Sequence, residues 1–217
     1  MESIEQMQNI AKKGTTTVGV FCKDGIILSA DRRATAGYMI ASKKTEKVIQ
    51  ISDRMAITMA GTVSDAQLLT KLIKAELKLK SLRTGREPNV KETANLLGSM
   101  IYGNIRKFSI IPGIATFLLG GADNEGVHLY DLFADGSVTE VDDYVSTGSG
   151  SVFAYGVLEA MYRNDLTIKD ALPIVIKAMN SARQRDIATG DGVDVYTVTK
   201  EGVKKIFAKE TDNTVKA

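Results

Sequence analysis

Three consecutive threonines follow a glycine near the start of the chain, in the run from Gly14 to Thr17. By β-propensity alone, these threonines open a strand and have no further role. A chemical role would need a base that takes the proton of one hydroxyl. An α-amino group suits this task, because its ordinary pKa of about 7.7–8 is far closer to neutrality than the value of about 10.4 for lysine. Threonine paired with an N-terminal amine is a recognised activated nucleophile.

That amine would have to be created by cleavage. While residues 1–14 precede Thr15, its nitrogen is part of an amide and cannot accept a proton. Cleavage between Gly14 and Thr15 would generate the base, so residues 1–14 are predicted to be a leader that keeps the hydroxyl inactive. Gly14 also permits the backbone bend that Thr15 needs to attack the preceding carbonyl. Thr15 is therefore a candidate nucleophile.

Other chemistries find little support in the sequence. The single histidine, His128, and the single cysteine, Cys22, both lie in strand-like segments and are expected to be structural. One residue of each type excludes an intrachain disulfide, a cysteine zinc cluster and any site that needs two histidines. The Gly148–Ser151 run resembles a phosphate-binding loop but lacks its lysine. We therefore expect no cofactor and no metal.

The composition is that of an ordinary globular protein. The chain has 217 residues, of which 44% are hydrophobic and 25% charged, enough for one large domain with its own core. Its 28 Lys and Arg against 26 Asp and Glu give a charge of +2, too balanced for a nucleic-acid-binding surface. No apolar run approaches the roughly 18 residues of a membrane span, and no secretory signal is evident. These features predict a cytoplasmic protein without nucleic-acid or membrane partners.

Strands and helix pairs alternate along the chain and must position the threonines. Runs of β-branched residues predict hairpins over 15–31, 48–60 and 193–207, and a further group of strands over 115–141. Apolar residues at helical spacing predict one helix pair between the 48–60 hairpin and the strands over 115–141.

A second helix pair is predicted before the last hairpin. The four helices should begin near Ser64, Asn89, Ser151 and Thr167. The apolar stripe of the first helix, which includes Leu68, Leu69, Leu72, Ile73 and Leu77, is expected to face the core. Hairpins indicate antiparallel sheets, and two helix pairs need two sheet faces to cover. The sequence therefore predicts an α+β fold, a four-layer α-β-β-α sandwich with two stacked antiparallel sheets.

Several motifs occur together at the spacing of a known family. They are the runs Gly14–Gly19, Ala30–Thr35, Ala60–Gln67, Ser146–Ser151 and Phe153–Glu159, together with Lys47, Arg185 and Asp186. Jointly they resemble a catalytic proteasome beta subunit, most of all the archaeal type, over nearly the whole chain. That family belongs to the N-terminal-nucleophile hydrolases, and its four-layer sandwich agrees with the architecture predicted above.

The resemblance implies a role for each matching residue. Thr15 would be the nucleophile after self-cleavage removes residues 1–14, which leaves residues 15–217 as a single catalytic domain. Lys47 would be the catalytic lysine, Asp31 its acidic partner, and Gly61 the donor of the backbone N–H that receives the oxyanion. The remaining matches are the supporting Arg33 and the group around the terminal amine: Ser149, Asp186 and Thr189. Position 189 usually carries serine, and threonine keeps the hydroxyl.

The resemblance also implies how the substrate is bound. The pocket for the residue before the cleaved bond would be lined by Ala34, Thr45, Ile49, Met59 and Val63. All of these are apolar except Thr45, which departs from the family pattern, so cleavage after large hydrophobic residues is expected. Thr35 and Gly61 would hold the substrate backbone as an added strand.

The implied activity is that of a threonine-type endopeptidase that hydrolyses unfolded proteins. Its implied partners are proteasome alpha subunits and further copies of this chain, in two stacked seven-membered beta rings between alpha rings that connect to a regulatory ATPase. Three alternatives stay open at this stage. They are a non-catalytic subunit of the same fold, another N-terminal-nucleophile hydrolase such as an amidase or a bacterial two-component protease, and a nucleotide-binding module.

Overall fold

The computed structural model describes residues 14–210, so residues 1–13 of the predicted leader and the tail beyond 210 lie outside the described chain. Its helices are α1 (Val63–Thr84), α2 (Val90–Ile105), α3 (Ser151–Met161) and α4 (Ile168–Arg185). Its strands are β1 (Thr17–Cys22), β2 (Gly25–Asp31), β3 (Ala34–Ala36), β4 (Met39–Ser42), β5 (Val48–Ser52), β6 (Met55–Thr58), β7 (Ala60–Gly61), β8 (Ala115–Ala122), β9 (Val127–Leu132), β10 (Val138–Val141), β11 (Tyr144–Thr147), β12 (Gly192–Thr199) and β13 (Gly202–Glu210).

Two antiparallel sheets organise these strands. The first has the order β11-β1-β2-β12-β13, and the second has the order β10-β9-β8-β6-β5, with β7 also paired to β8. The predicted hairpins β1–β2, β5–β6 and β12–β13 are all present. Strands β3 and β4 form a separate small hairpin.

Three hydrophobic clusters hold four layers together. Leu28, Leu118 and Leu129 are fully buried in the cluster that joins the two sheets. A second cluster joins α1 and α2 to the outer face of the second sheet, and a third joins α3 and α4 to the outer face of the first. Burial of apolar surface at about 25 cal/mol per Å² is the main force that stacks such layers. The predicted α-β-β-α sandwich is confirmed.

The helix ends follow the expected local chemistry. Asn89 caps α2, and Thr167 caps α4. In each case the side chain accepts from the backbone N–H three residues on, and the acidic side chain there returns the bond. Gly85 ends α1 in the left-handed conformation, with φ of 70°.

Two expectations about the elements were wrong. Leu68 and Leu72 are 47% and 44% exposed, whereas Leu69, Ile73 and Leu77 are buried. Leucines on two neighbouring faces of α1 satisfy the same helical spacing, but only one of those faces packs on the sheet. The first strand also starts at Thr17 rather than Thr15, which leaves Thr15 and Thr16 in the segment before the strand.

None of the helices in the described range 14–210 is long and apolar enough to cross a membrane.

Candidate active site

The ends of several strands place the candidate residues at one edge of the sandwich. The pairing of Thr17 with Ala30 between β1 and β2 sets Thr15 and Thr16 against Asp31, the last residue of β2. Strand β11 pairs with β1 up to Thr147, so the loop that follows it lies beside Thr15. Residues distant in sequence thus meet because antiparallel pairing brings their strand ends together.

Thr15, Lys47 and Asp31 form a connected row of polar groups. The Lys47 Nζ donates to Thr15 Oγ1 at 2.9 Å and to Asp31 Oδ1 at 2.8 Å. The Thr15 hydroxyl donates in turn to the Gly14 carbonyl oxygen at 2.7 Å. The hydroxyl oxygen is therefore adjacent both to a cation and to the carbonyl group of the Gly14–Thr15 peptide bond.

Burial controls the charges of this row. Asp31 is fully buried and Lys47 is 4% exposed. Desolvation lowers the pKa of Lys47 below its ordinary value, while the Asp31 carboxylate opposes that fall. Burial likewise raises the pKa of Asp31, against the ammonium group and the backbone donors around it. A buried lysine with a lowered pKa is a better proton acceptor near neutral pH than an exposed one.

Three backbone groups hold the Asp31 carboxylate in place. Oδ1 accepts from the Thr16 N–H at 3.1 Å. Oδ2 accepts from the N–H groups of Arg33 and Gly190, each at 3.0 Å. With Lys47, the carboxylate has four donors, so its orientation toward the lysine is fixed from both sides.

A second network surrounds the Thr15 nitrogen. The Thr15 N–H donates to Ser149 Oγ at 3.3 Å, and the Ser149 hydroxyl donates to Asp186 Oδ2 at 2.6 Å. The Thr189 hydroxyl donates to the same Asp186 oxygen at 2.5 Å and lies 2.7 Å from the Thr16 hydroxyl oxygen. The structure thus brings together the three residues predicted to surround the terminal amine.

Gly14 fits tightly between these groups. A β-carbon on residue 14 would lie 1.9 Å from the Ala188 Cβ and 2.7 Å from the Ser149 Oγ. The Gly14 N–H donates to the Thr35 hydroxyl at 3.3 Å. Thr35, predicted to hold the substrate backbone, therefore holds the backbone of the residue that precedes the candidate cleavage site.

A small pocket opens beside Thr15. Its walls are Thr45, Lys47, Met59, Ala60, Gly61, Val63 and Ala66. Three of the predicted specificity residues, Thr45, Met59 and Val63, are among them, whereas Ala34 and Ile49 are not part of this lining. Ala60 and Ala66 were not predicted to line the pocket. The walls other than Thr45 and Lys47 are apolar or backbone, which suits a hydrophobic side chain.

Gly61, in β7, is one of the residues that line this pocket. Its φ of 101° is a conformation that residues with a side chain rarely adopt. Pairing with Ala115 of β8 fixes the strand that carries it. Its predicted role as the oxyanion donor remains a prediction.

The guanidinium of Arg33 contacts the loop after α4 rather than the row of Thr15, Lys47 and Asp31. Its guanidinium Nη1 donates to the Ile187 carbonyl at 2.7 Å, and its Nε donates to Asp191 Oδ2 at 2.7 Å. Sequence reasoning missed Asp191 and the contacts of Thr16. The Gly190–Gly192 run contains only a turn signal, and nothing local indicates the arginine more than 150 residues earlier.

Cys22 and His128, which the sequence predicted to be structural, take no part in the two networks described above. Cys22 is 1% exposed, and burial raises the pKa of its thiol to about 12. His128 pairs across β8 and β9 with Gly121, and its Nδ1 lies 2.8 Å from Glu140. Among residues 14–210, no three His, Cys, Asp or Glu side chains are grouped as metal ligands would be.

Comparison with known proteins gives one consistent result. The Proteasome subunit family profile matches residues 11–198. The chain is 44% identical to Proteasome subunit beta of Archaeoglobus profundus, covering 95% of this chain and 94% of that protein. It is 43% identical to Proteasome subunit beta of Ferroglobus placidus, over 92% and 93% of the two chains. It is 42% identical to Proteasome subunit beta of Methanococcus maripaludis strain C5, over 94% and 92%.

Proposed function

Because this chain belongs to the proteasome subunit family, we propose that it is a catalytic beta subunit whose nucleophile is the hydroxyl of Thr15. The proposed reaction is hydrolysis of peptide bonds in unfolded polypeptides. One observation carries the proposal. The Lys47 ammonium lies 2.9 Å from Thr15 Oγ1, and the same ammonium is paired with the buried Asp31.

The enzyme would first activate itself. In the full chain the Thr15 oxygen attacks the Gly14 carbonyl carbon, and the hydroxyl proton passes to the amide nitrogen that leaves. Water then hydrolyses the resulting ester, which yields a Gly14 carboxylate and a free Thr15 amine. The 2.7 Å contact between the Thr15 hydroxyl and the Gly14 carbonyl supports this step, since the reacting groups are already in contact.

The mature site would use the new amine as its base. The amine takes the Thr15 hydroxyl proton while the oxygen attacks the substrate carbonyl, and the proton then goes to the departing substrate nitrogen. Water hydrolyses the acyl-enzyme ester and restores the threonine. Ser149 and Asp186 are hydrogen-bonded in the order needed to hold the amine and relay its proton.

Lys47 and Asp31 support this chemistry electrostatically. A cation at 2.9 Å stabilises the negative charge that grows on the Thr15 oxygen and lowers the pKa of the hydroxyl. Without a carboxylate partner, a lysine that is 4% exposed would be costly to keep charged. The N–H of Gly61 is proposed as the oxyanion donor, a kind of contact whose loss costs roughly 2.7–4 kcal/mol in other enzymes.

The substrate is proposed to lie as an added strand between Thr35 and Gly61. The hydrogen bond from the Gly14 N–H to Thr35 supports this, because Gly14 precedes the candidate cleavage site as a substrate residue would precede the bond that is cleaved. The mostly apolar lining of the pocket beside Thr15 supports a hydrophobic residue before the cleaved bond.

The chain assembles into a proteasome core with other subunits. We propose alpha subunits and further copies of this chain as neighbours, in two stacked seven-membered beta rings, with unfolded substrates supplied by an ATPase through the alpha rings. The proposed location is the cytoplasm.

Replacement of Thr15 tests the function. The full chain with Thr15→Ala, assembled with its partner subunits, should keep residues 1–14 and lose peptidase activity. Thr17→Ala is a matched control, since Thr17 contacts Thr147 rather than Lys47. Retained peptidase activity in the Thr15→Ala particle would refute the proposal.

A further inference from the structure

The loop that follows α4 supplies both networks of the site. Asp186 and Thr189 contribute their side chains to the network around the Thr15 nitrogen. The N–H of Gly190 donates to Asp31 Oδ2 at 3.0 Å. A displacement of this loop would therefore disturb the amine network and the Asp31–Lys47 pair together.

Arg33 binds this loop through Asp191, and we call this ion pair and its further contacts the clamp. The Arg33 Nε donates to Asp191 Oδ2 at 2.7 Å and its Nη2 to Oδ1 at 3.4 Å, while Nη1 donates to the Ile187 carbonyl at 2.7 Å. The guanidinium lies against the bare backbone of Gly190, where a β-carbon would be 2.4 Å from Arg33 Cζ. One side chain thus contacts three points of the loop.

The backbone of Asp191 is itself unusual. Its φ of 61° makes it the only residue other than glycine with positive φ in the described range 14–210. Aspartate tolerates this left-handed conformation better than most residues, yet it still costs free energy. Its side chain is 5% exposed and is held by the arginine, so the ion pair keeps the backbone in this conformation.

We propose that Asp191 is a positioning residue, which acts through Arg33 to hold Asp186, Thr189 and the Gly190 N–H in the geometry that peptide hydrolysis requires. This inference rests on the proposed function and adds to it a residue that touches neither Thr15 nor the substrate pocket. Misplacement of reacting groups by about 1 Å can cost about a hundredfold in rate, so a loosened loop should be visible in kcat.

The charges at the site give the clamp a second effect. Asp31 and Asp186 raise the pKa of Lys47, whereas Arg33 lowers it. Removal of the Asp191 charge leaves Arg33 uncompensated, and a loosened loop moves the Asp186 carboxylate away. Both changes lower the pKa of Lys47 further, so the ammonium that stabilises the Thr15 oxygen is lost at a lower pH than in the wild type.

The neighbouring pair Arg32–Asp194 provides a matched control. Its closest contact is 2.6 Å, and its side chains are 14% and 3% exposed, close to the 15% and 5% of the Arg33–Asp191 pair. Asp194 lies in β12 and pairs with Arg32 and Lys205, and within residues 14–210 its carboxylate has no hydrogen bond or ion pair with the loop after α4. A purely structural loss of a buried ion pair should thus be reproduced by Asp194→Asn.

The experiment compares Asp191→Asn with Asp194→Asn in the fully assembled particle. Asparagine keeps the size of aspartate and tolerates positive φ, so Asp191→Asn removes the charge and one of the two acceptor oxygens without changing the volume of the side chain. We expect kcat for a hydrophobic fluorogenic peptide to fall about 10- to 100-fold in Asp191→Asn with KM within about twofold. The alkaline limb of its pH profile should move to lower pH, because the Lys47 ammonium is lost earlier. Asp194→Asn should keep kcat within about twofold of wild type.

Two further variants keep the test decisive. If Asp191→Asn fails to assemble, Asp191→Gly adopts the same φ without strain and should show the same loss in kcat. The double variant Arg33→Gln with Asp191→Asn should be no slower than Arg33→Gln alone, because the two residues act as one pair.

The failure of this inference differs from the failure of the proposed function. Equal kcat values in the Asp191→Asn and Asp194→Asn particles, or additive losses in the double variant, would overturn the inference while wild type stays active. Peptidase activity in Thr15→Ala would overturn the function itself.

Discussion

The fit of Gly14 gives a quantitative prediction about activation. A β-carbon at this position would lie 1.9 Å from the Ala188 Cβ, whereas carbon atoms pack at roughly 3.5–4.0 Å. Relief of this clash needs a shift of about 1.5–2 Å in residue 14 or in the loop that carries Ala188. The carbonyl that Thr15 attacks belongs to residue 14, so the shift moves the reacting group directly. We expect Gly14→Ala to slow removal of the leader by about a hundredfold or more.

The assay follows the intact and cleaved forms of the chain by mass spectrometry during assembly. Gly156→Ala is the matched control, because a β-carbon there meets no atom within 4 Å. Residue 14 is lost on cleavage, so particles that have matured should have wild-type kcat for each cleaved chain. The second substitution Ala188→Gly removes the clashing atom and should restore part of the rate. Cleavage of Gly14→Ala at the wild-type rate would show that the geometry around the Gly14–Thr15 bond does not control activation.

Further predictions concern the charged row, its pH dependence, the pocket and the thiol. Lys47→Ala should reduce kcat by about 10⁴-fold, as loss of an activating group does in other hydrolases. It should also lower the free energy of unfolding by about 3–5 kcal/mol, because Asp31 is left buried without its partner. A wild-type kcat would exclude an essential lysine. Leader removal should accelerate as pH rises through the lowered pKa of Lys47, because its neutral form accepts the Thr15 proton and burial enlarges that fraction near neutral pH; a pH-independent rate measured by quenched time courses would contradict this. Peptides with a large hydrophobic residue before the cleaved bond should have higher kcat/KM than peptides with an acidic residue there, because the side chains that line the pocket are mostly apolar. Equal kcat/KM values would show that this pocket does not select the substrate. Cys22, whose thiol pKa is raised to about 12, should resist alkylation until the protein is unfolded. Rapid labelling of the native particle would show that Cys22, at the end of β1, is exposed to solvent.

Local patterns in the sequence predicted most of the architecture. The hairpins and helices follow hydrophobic periodicity and capping residues, such as the Asn89–Glu92 box, which act over a few positions. The β3–β4 hairpin escaped prediction because its tip residues Tyr38 and Met39 are 95% and 74% exposed and have no buried alternation. The exposed face of α1 was wrongly assigned to the core for the converse reason. Spacing identifies apolar faces but does not say which of them is covered.

The site depended on long-range contacts that local patterns cannot reveal. The motif resemblance identified Thr15, Asp31 and Lys47, and antiparallel pairing of distant strands brings them within hydrogen-bond distance. Asp191 had no such motif, since its importance lies in a contact with Arg33 and in a backbone angle that only the fold reveals. Functional residues that act through a partner are therefore the ones that sequence reasoning misses.

The most direct test of the central claim is the N-terminal residue of this chain in the active particle. Intact-mass measurement with N-terminal sequencing should find Thr15 with a free amine, and treatment with a peptide electrophile should add its mass to that residue. An active particle in which this chain retains Gly14, or in which the electrophile modifies another residue, would contradict the account.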